Sequence, residues 1–231
     1  MHSRALTAEA IGTFFVHLVL FGLWLLLAGS VVDKTLPIAF ATGLTLMVVT
    51  ASLGHVSGGH FNPAITIGLI AGGRFDVAHA PGFIVAQVTG ATSAIALFYA
   101  AIVTSSLELQ PRAIMAASNG FDTNNRETLV AVLMFETNAT ALLVIAFMDA
   151  TASRSSLAIA PLAIGAALAT LYMLVIPVSG GSLNPARSTG AALFAGTEAL
   201  SQLWAFWLPP TLGGVLGGLL ARFILNEGSR D

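Results

Sequence analysis

Apolar residues along this chain run in long unbroken blocks and do not alternate with polar ones. Six blocks, at about 7–29, 36–55, 82–104, 128–149, 157–178 and 202–225, are rich in Ala, Leu, Val, Ile and Phe. Each supplies the roughly 20 apolar residues that a helix needs to cross a bilayer. None has the ten-residue alternation of a membrane β-strand. Connections are short except at 105–127, where Glu108, Pro111, Arg112, Asn119, Gly120, Asp122, Asn124, Asn125, Arg126 and Glu127 make a polar loop. The pattern predicts an all-α membrane protein with six transmembrane helices, one domain over 1–231. The first block has some marks of a cleavable signal, with Arg4 ahead of it and the small residues Ala28-Gly29-Ser30 behind. It reads as a span instead: the run is long for a signal core, Glu9 sits at its edge and a second block follows almost at once.

Composition narrows the class. The chain is 56% apolar and only 9% charged, where soluble domains carry about 25% charge. Nine Lys and Arg against eleven Asp and Glu, without clustering, exclude a nucleic-acid binder driven by a basic face. The absence of cysteine excludes disulfides, zinc–thiolate and iron–sulfur sites and thiol nucleophiles. Arg4, Arg74, Arg154, Arg222 and Arg230 fall on one side of the six spans, and Lys34, Arg112 and Arg126 on the other. Five against three places both termini inside.

The chain also repeats itself. Residues 58–68 read GGHFNPAITIG and residues 180–190 read GGSLNPARSTG, with Asn62 and Asn184 separated by 122 positions. Glu9 is followed by Thr13, and Glu136 by Thr140, each pair near the start of the first span of its half. The halves, about 1–110 and 127–231, then hold three spans each. Three is odd, so the second half must lie upside down in the membrane, and such inverted repeats place their shared site near the midplane. The apolar runs at 62–72 and 184–195 reach only half-way across the hydrocarbon core. They read as two re-entrant half-helices with Asn62 and Asn184 as N-caps and Pro63 and Pro185 at the first helical position. Gly58–Phe61 and Gly180–Leu183 are expected to be extended and to line a watery path with their carbonyls.

Paired Asn-Pro-Ala motifs (Asn62, Pro63, Ala64 and Asn184, Pro185, Ala186), an Arg three residues after the second Asn, and Glu9 and Glu136 at equivalent places resemble the aquaporin (major intrinsic protein) family over essentially the whole chain. GHVSGGHFNPAITIG and NPARSTG are similar to bacterial water channels. The resemblance implies a passive channel for water and small uncharged solutes that excludes ions and protons. It implies a homotetramer in the lipid of a bacterial inner membrane, with no cofactor and no metal. It puts the selectivity filter on Thr42, Tyr172, Gly181 and Arg187. Phe, His and Thr are the family's usual water-channel residues at the first three, so this filter departs from that pattern; nor does it carry the two aromatics of glycerol facilitators. Ser188, Ala192 and Phe206-Trp207 match the water-channel type. The filter residues touch the permeant, so the expected range is water plus glycerol, urea, ammonia, hydrogen peroxide or neutral metalloid hydroxides. A strict water channel is the alternative.

Among the remaining polar groups, Glu9 and Glu136 are expected to accept N–H bonds from the re-entrant loops, the other reading being a proton relay. His55 and His60 are expected to bond the first loop's backbone, the other reading being a pH gate. His17, alone inside span 1, reads as a satisfied packing histidine, the other reading being a pore residue; the sequence does not give the direction it faces. Gly213, Gly214, Gly217 and Gly218 suit close helix packing within one subunit. A secondary transporter shares the inverted-repeat logic but needs coupling-ion ligands, where here the central groups are two neutral amides. No GxSxG or HExxH motif and no clustered nucleophile set is present, so an enzyme is not expected.

Overall fold

The computed structural model describes residues 2–28, 30, 33–104, 112–153, 155–156 and 158–225. Gly29, Glu108, Pro111, Arg154 and Arg230, and the edge of the first half at 110, lie outside the described residues. Within them the chain is helical throughout: α1 His2–Leu26, α2 Thr35–Ser57, α3 Pro63–Ala71, α4 Ala80–Thr104, α5 Arg112–Ala117, α6 Arg126–Ala150, α7 Ala160–Ser179, α8 Pro185–Ala195, α9 Thr197–Gln202 and α10 Leu208–Leu225. Six helical stretches are long and apolar enough to span a membrane. They correspond to the six predicted blocks, with α3 and α8 as short half-helices between them.

Three local expectations need correction. The polar loop after α4 contains the short helix α5. The sixth block is not one helix: α9 passes through a 3₁₀ turn at Leu203–Phe206 before α10 begins at Leu208. Pro209 and Pro210 explain that restart, since a missing N–H costs nothing only in a helix's first turn. The segments ahead of the half-helices are not extended. Gly58, Gly59 and Phe61 have φ of 95°, 70° and 49°, and Gly180, Gly181 and Leu183 have 77°, 71° and 52°. Glycine meets the first two positions of each turn without steric cost, whereas Phe61 and Leu183 are strained and need external support.

The molecule is apolar outside and encloses a set of polar groups within its apolar core. Phe40, Val48, Val85, Leu97, Leu142, Leu162 and Phe223 are exposed, while Glu9, His17, Gln87, Glu136 and Arg187 are fully enclosed. Lipid is the solvent for the first set, and the second set must find partners inside. Glycines let the backbones approach. A Cβ on Gly43 or Gly165 would come within 2.5 Å of the other's carbonyl oxygen, which fixes the α2–α7 crossing. Gly213 and Gly217 face α6 backbone at Thr137 and Ala141, and Gly214 and Gly218 face α3 backbone at Ala64 and Gly68. The glycine stripe of α10 therefore packs within the chain, holding a half-helix on one side and a spanning helix on the other.

Candidate functional site

Each half-helix starts on its asparagine. Asn62 Oδ1 accepts the Ala64 N–H at 2.8 Å. Asn184 Oδ1 accepts from Ala186 at 3.0 Å and from Arg187 at 3.4 Å. The amide nitrogens reach across to the opposite half: Asn62 Nδ2 donates to Leu183 O at 2.7 Å and Asn184 Nδ2 to Phe61 O at 3.0 Å. The two N-termini are thus tied by a reciprocal pair of bonds. An amide nitrogen has two hydrogens, so each Asn keeps one beyond this tie. Both asparagines border one narrow cavity with Val16, His17, Leu46, His60, Phe61, Ile65, Leu143, Leu168 and Tyr172. About 20 Å³ of it is open to a water's centre, room for one water molecule.

The two buried carboxylates hold the turns in matching ways. Glu9 accepts from the Ser57 hydroxyl at 2.6 Å, the His60 N–H at 3.0 Å and the Phe61 N–H at 2.7 Å. Glu136 accepts from the Ser179 hydroxyl at 2.6 Å, the Ser182 N–H at 3.0 Å and the Leu183 N–H at 2.7 Å. The two N–H bonds of each carboxylate fall on the strained Phe61 or Leu183 and on the residue before it. Gln87 Nε2 adds a fourth donor to Glu9 at 2.7 Å and also reaches Thr66. The sequence carries a signal for the serines: both halves read Val-Ser-Gly-Gly, with Ser57 and Ser179 one residue ahead of the repeated segments.

His60 supports the first turn through its side chain. Nδ1 meets Thr66 Oγ1 at 3.0 Å, and the ring packs edge-on to Phe75. It does not bond the loop backbone as expected, and His55 is exposed. The carbonyl ladder is also partly occupied. Phe61 and Leu183 carbonyls accept the asparagine amides, Gly180 O accepts Arg187 Nη2 at 3.0 Å, and Ser182 O accepts the Tyr172 hydroxyl at 3.2 Å.

Of the four filter candidates, three converge. Arg187 is fully buried and bonds Gly180; Tyr172 bonds Ser182; Gly181 lies between, where a Cβ would stand 3.6 Å from the Tyr172 ring and 2.8 Å from Ile176. Thr42 donates its hydroxyl to its own helix at Ile38 O, 2.7 Å away. Of the four, Tyr172 borders the central cavity. Arg187 has partners that the sequence did not announce. Asn119, in the connection after α5, accepts from Arg187 Nη1 and, at 2.7 Å, from the Ser188 hydroxyl, and donates to Ser179 O at 3.0 Å. The Phe21 ring lies 5.8 Å from the guanidinium carbon. Replacing Asn119 by Ala leaves a buried charge short of an acceptor. A loss of about 1.5–3 kcal/mol is expected, read by thermal unfolding in detergent; an unchanged midpoint would mean that Asn119 does not hold Arg187.

His17 also departs from expectation. It is buried, but it borders the cavity, and it is not fully satisfied: Nδ1 meets Thr13 O at 2.6 Å, while Nε2 has no partner among the described residues. Its placement depends on the rotation of α1, which one lone residue in an apolar run does not reveal.

The family model for Major intrinsic protein matches residues 1–221. The chain belongs to this family. Among curated relatives of this major intrinsic protein, Aquaporin Z of Rhodopseudomonas palustris is 40% identical, over 98% of this chain and 95% of that one. Aquaporin Z of Photorhabdus laumondii is 39% identical, over 97% and 98%. Among solved structures, the aquaglyceroporin from Plasmodium falciparum shares the fold with a TM-score of 0.75 at 18% identity, covering 98% of this chain and 96% of that one. The architecture is therefore that of the family: six spanning helices and two re-entrant half-helices in an inverted repeat.

Proposed function

We propose that this major intrinsic protein is a passive channel, not an enzyme, conducting water and small uncharged solutes while excluding ions and protons. One observation carries the reading: two half-helix N-termini, capped and cross-tied by Asn62 and Asn184, open on a single cavity. Helix N-termini carry partial positive charge. A water at that point accepts from the remaining amide hydrogens of both asparagines and turns its own hydrogens away. A cation meets positive potential from both sides and too few acceptors to replace its hydration. The similarity to Aquaporin Z proteins supports water as a permeant.

The roles of the individual residues follow. Asn62-Pro63-Ala64 and Asn184-Pro185-Ala186 form the pore centre. Thr42, Tyr172, Gly181 and Arg187 form the filter, with Arg187 donating to permeants and repelling cations. Glu9, Glu136 and His60 support the loops. Halves at about 1–110 and 127–231 build one pore per subunit, four subunits assemble, and both termini face the cytoplasm of a bacterial inner membrane.

The test is stopped-flow light scattering of proteoliposomes after osmotic steps. Wild-type vesicles are expected to shrink fast in sucrose and to reswell in glycerol or urea. Tyr172→His with Thr42→Phe is expected to keep water flux and lose reswelling. Fast shrinkage without reswelling in the wild type would leave a strict water channel, and no shrinkage above empty vesicles would defeat the channel reading.

A further inference from the structure

The two halves match closely around the cavity, and their exceptions are informative. Val16 faces Leu143, Leu46 faces Leu168 and Asn62 faces Asn184, each pair at equivalent places of the repeat. His17 breaks the pattern. It stands eight residues after Glu9, and the residue eight after Glu136 is Val144, which packs on Gly68. The fold does not need a polar group here, since the other half does without one.

The tautomer follows from chemistry. Thr13 O can only accept, so Nδ1 carries the hydrogen, and Nε2 of the neutral ring is an acceptor. Burial with no carboxylate against it favours an uncharged ring. With Nδ1 held by Thr13 O, the nitrogen left without a partner is Nε2, and the residue lines the cavity beside Asn62, Asn184 and Tyr172. One turn further along α1, Phe21 packs 5.7 Å from this ring and 5.8 Å from Arg187 Cζ. His17 therefore stands between the asparagine pair and the arginine. Both of those offer donors, and a passing molecule must also place its own hydrogens. Around it, the aliphatic walls Val16, Leu46, Leu143 and Leu168 accept none.

We propose that His17 binds the permeant: Nε2 accepts a hydrogen bond from the O–H or N–H of an uncharged solute passing between the asparagine pair and Arg187. This rests on the channel reading above, and it assigns the passage a selective acceptor outside the filter quartet. Its weight is greatest for solutes with several donors to desolvate, such as polyols and amides.

His17→Phe keeps the ring size and removes the acceptor. Urea and glycerol permeability relative to water is expected to fall about fivefold, the worth of one net hydrogen bond. His17→Gln returns an acceptor oxygen and is expected to restore the ratio to within about twofold of wild type on the same grounds. Should the wild type reject both solutes, water is the donor, and His17→Phe is expected to slow shrinkage in sucrose by that factor. In nitrogen-15 NMR of the wild-type protein in bilayers, the His17 signals (assigned by their loss in His17→Phe) are expected to show a protonated Nδ1 and a bare Nε2 that shifts on adding the conducted solute. Unchanged flux in His17→Phe, or a protonated Nε2, overturns the proposal while fast wild-type shrinkage keeps the channel reading intact. Absence of wild-type shrinkage overturns both.

Discussion

Replacing Glu136 by Ala is expected to abolish rapid osmotic shrinkage and to lower the unfolding midpoint by about 10 °C or more. Two buried donors, the N–H groups of Ser182 and Leu183, lose their acceptor at once, and the Ser179 hydroxyl is left with Val175 O alone. An unsatisfied buried donor costs about 1–3 kcal/mol, so the pair reaches the low end of the 5–15 kcal/mol that typically holds a whole domain together. The turn also loses what stabilises Leu183 at a φ of 52°. Leu183 O is the acceptor for Asn62, so the damage passes directly to the tie between the half-helices. Glu136→Gln keeps one acceptor oxygen but turns an amide toward the remaining donors, and intermediate stability and flux are expected. The measurements are thermal unfolding in detergent and stopped-flow shrinkage per reconstituted protein. Wild-type values for Glu136→Ala would show that the carboxylate does not hold the loop and would revive a proton-relay role.

The second large effect is steric. A Cβ at Gly218 collides with the carbonyl oxygen of Gly68 and stands 3.1 Å from the Gly72 nitrogen. Both are backbone atoms of the first re-entrant half and its cap, so no side chain can turn aside. Gly218→Val is expected to push α3 off α10 and to cost more than the ~1–3 kcal/mol of ordinary overpacking, seen as aggregation on size exclusion and loss of flux. Gly54→Ala is the control: its Cβ would meet only the Thr50 methyl at 3.4 Å, and Ala is the better helix former. If Gly218→Val behaves like Gly54→Ala, the close approach of α10 to the half-helix is not what positions the pore centre.

Much of this is legible in the sequence itself. Block length set the spans, since a helix must satisfy its own backbone in lipid. The duplicated Asn-Pro-Ala, too short a run to cross, set the half-helices, because Asn and Pro at those two positions are what a helix start needs. The parity of three spans per half set the inversion. Equivalent carboxylates at Glu9 and Glu136 pointed to the loops, and the acids and loops do meet there.

What escaped the sequence is what depends on rotation and on distant partners. Positive φ at Phe61 and Leu183 was not readable, because neither residue type favours it; the strain is tolerated only where a carboxylate some 50 residues away binds the adjacent N–H groups. The cross-tie of each asparagine to the other half's carbonyl needs two segments about 120 residues apart to meet end to end. Asn119 looked like one polar loop residue among many until Arg187 was placed beside it. His17 sat in an apolar run with no period to give its direction, and only the packing of α1 against its neighbours turned its ring to the cavity. Local chemistry and chain length thus determined the elements and their count. Long-range contacts decided which polar atoms face each other, because a side chain's direction across a pore is fixed by how helices pack and not by its neighbours in sequence.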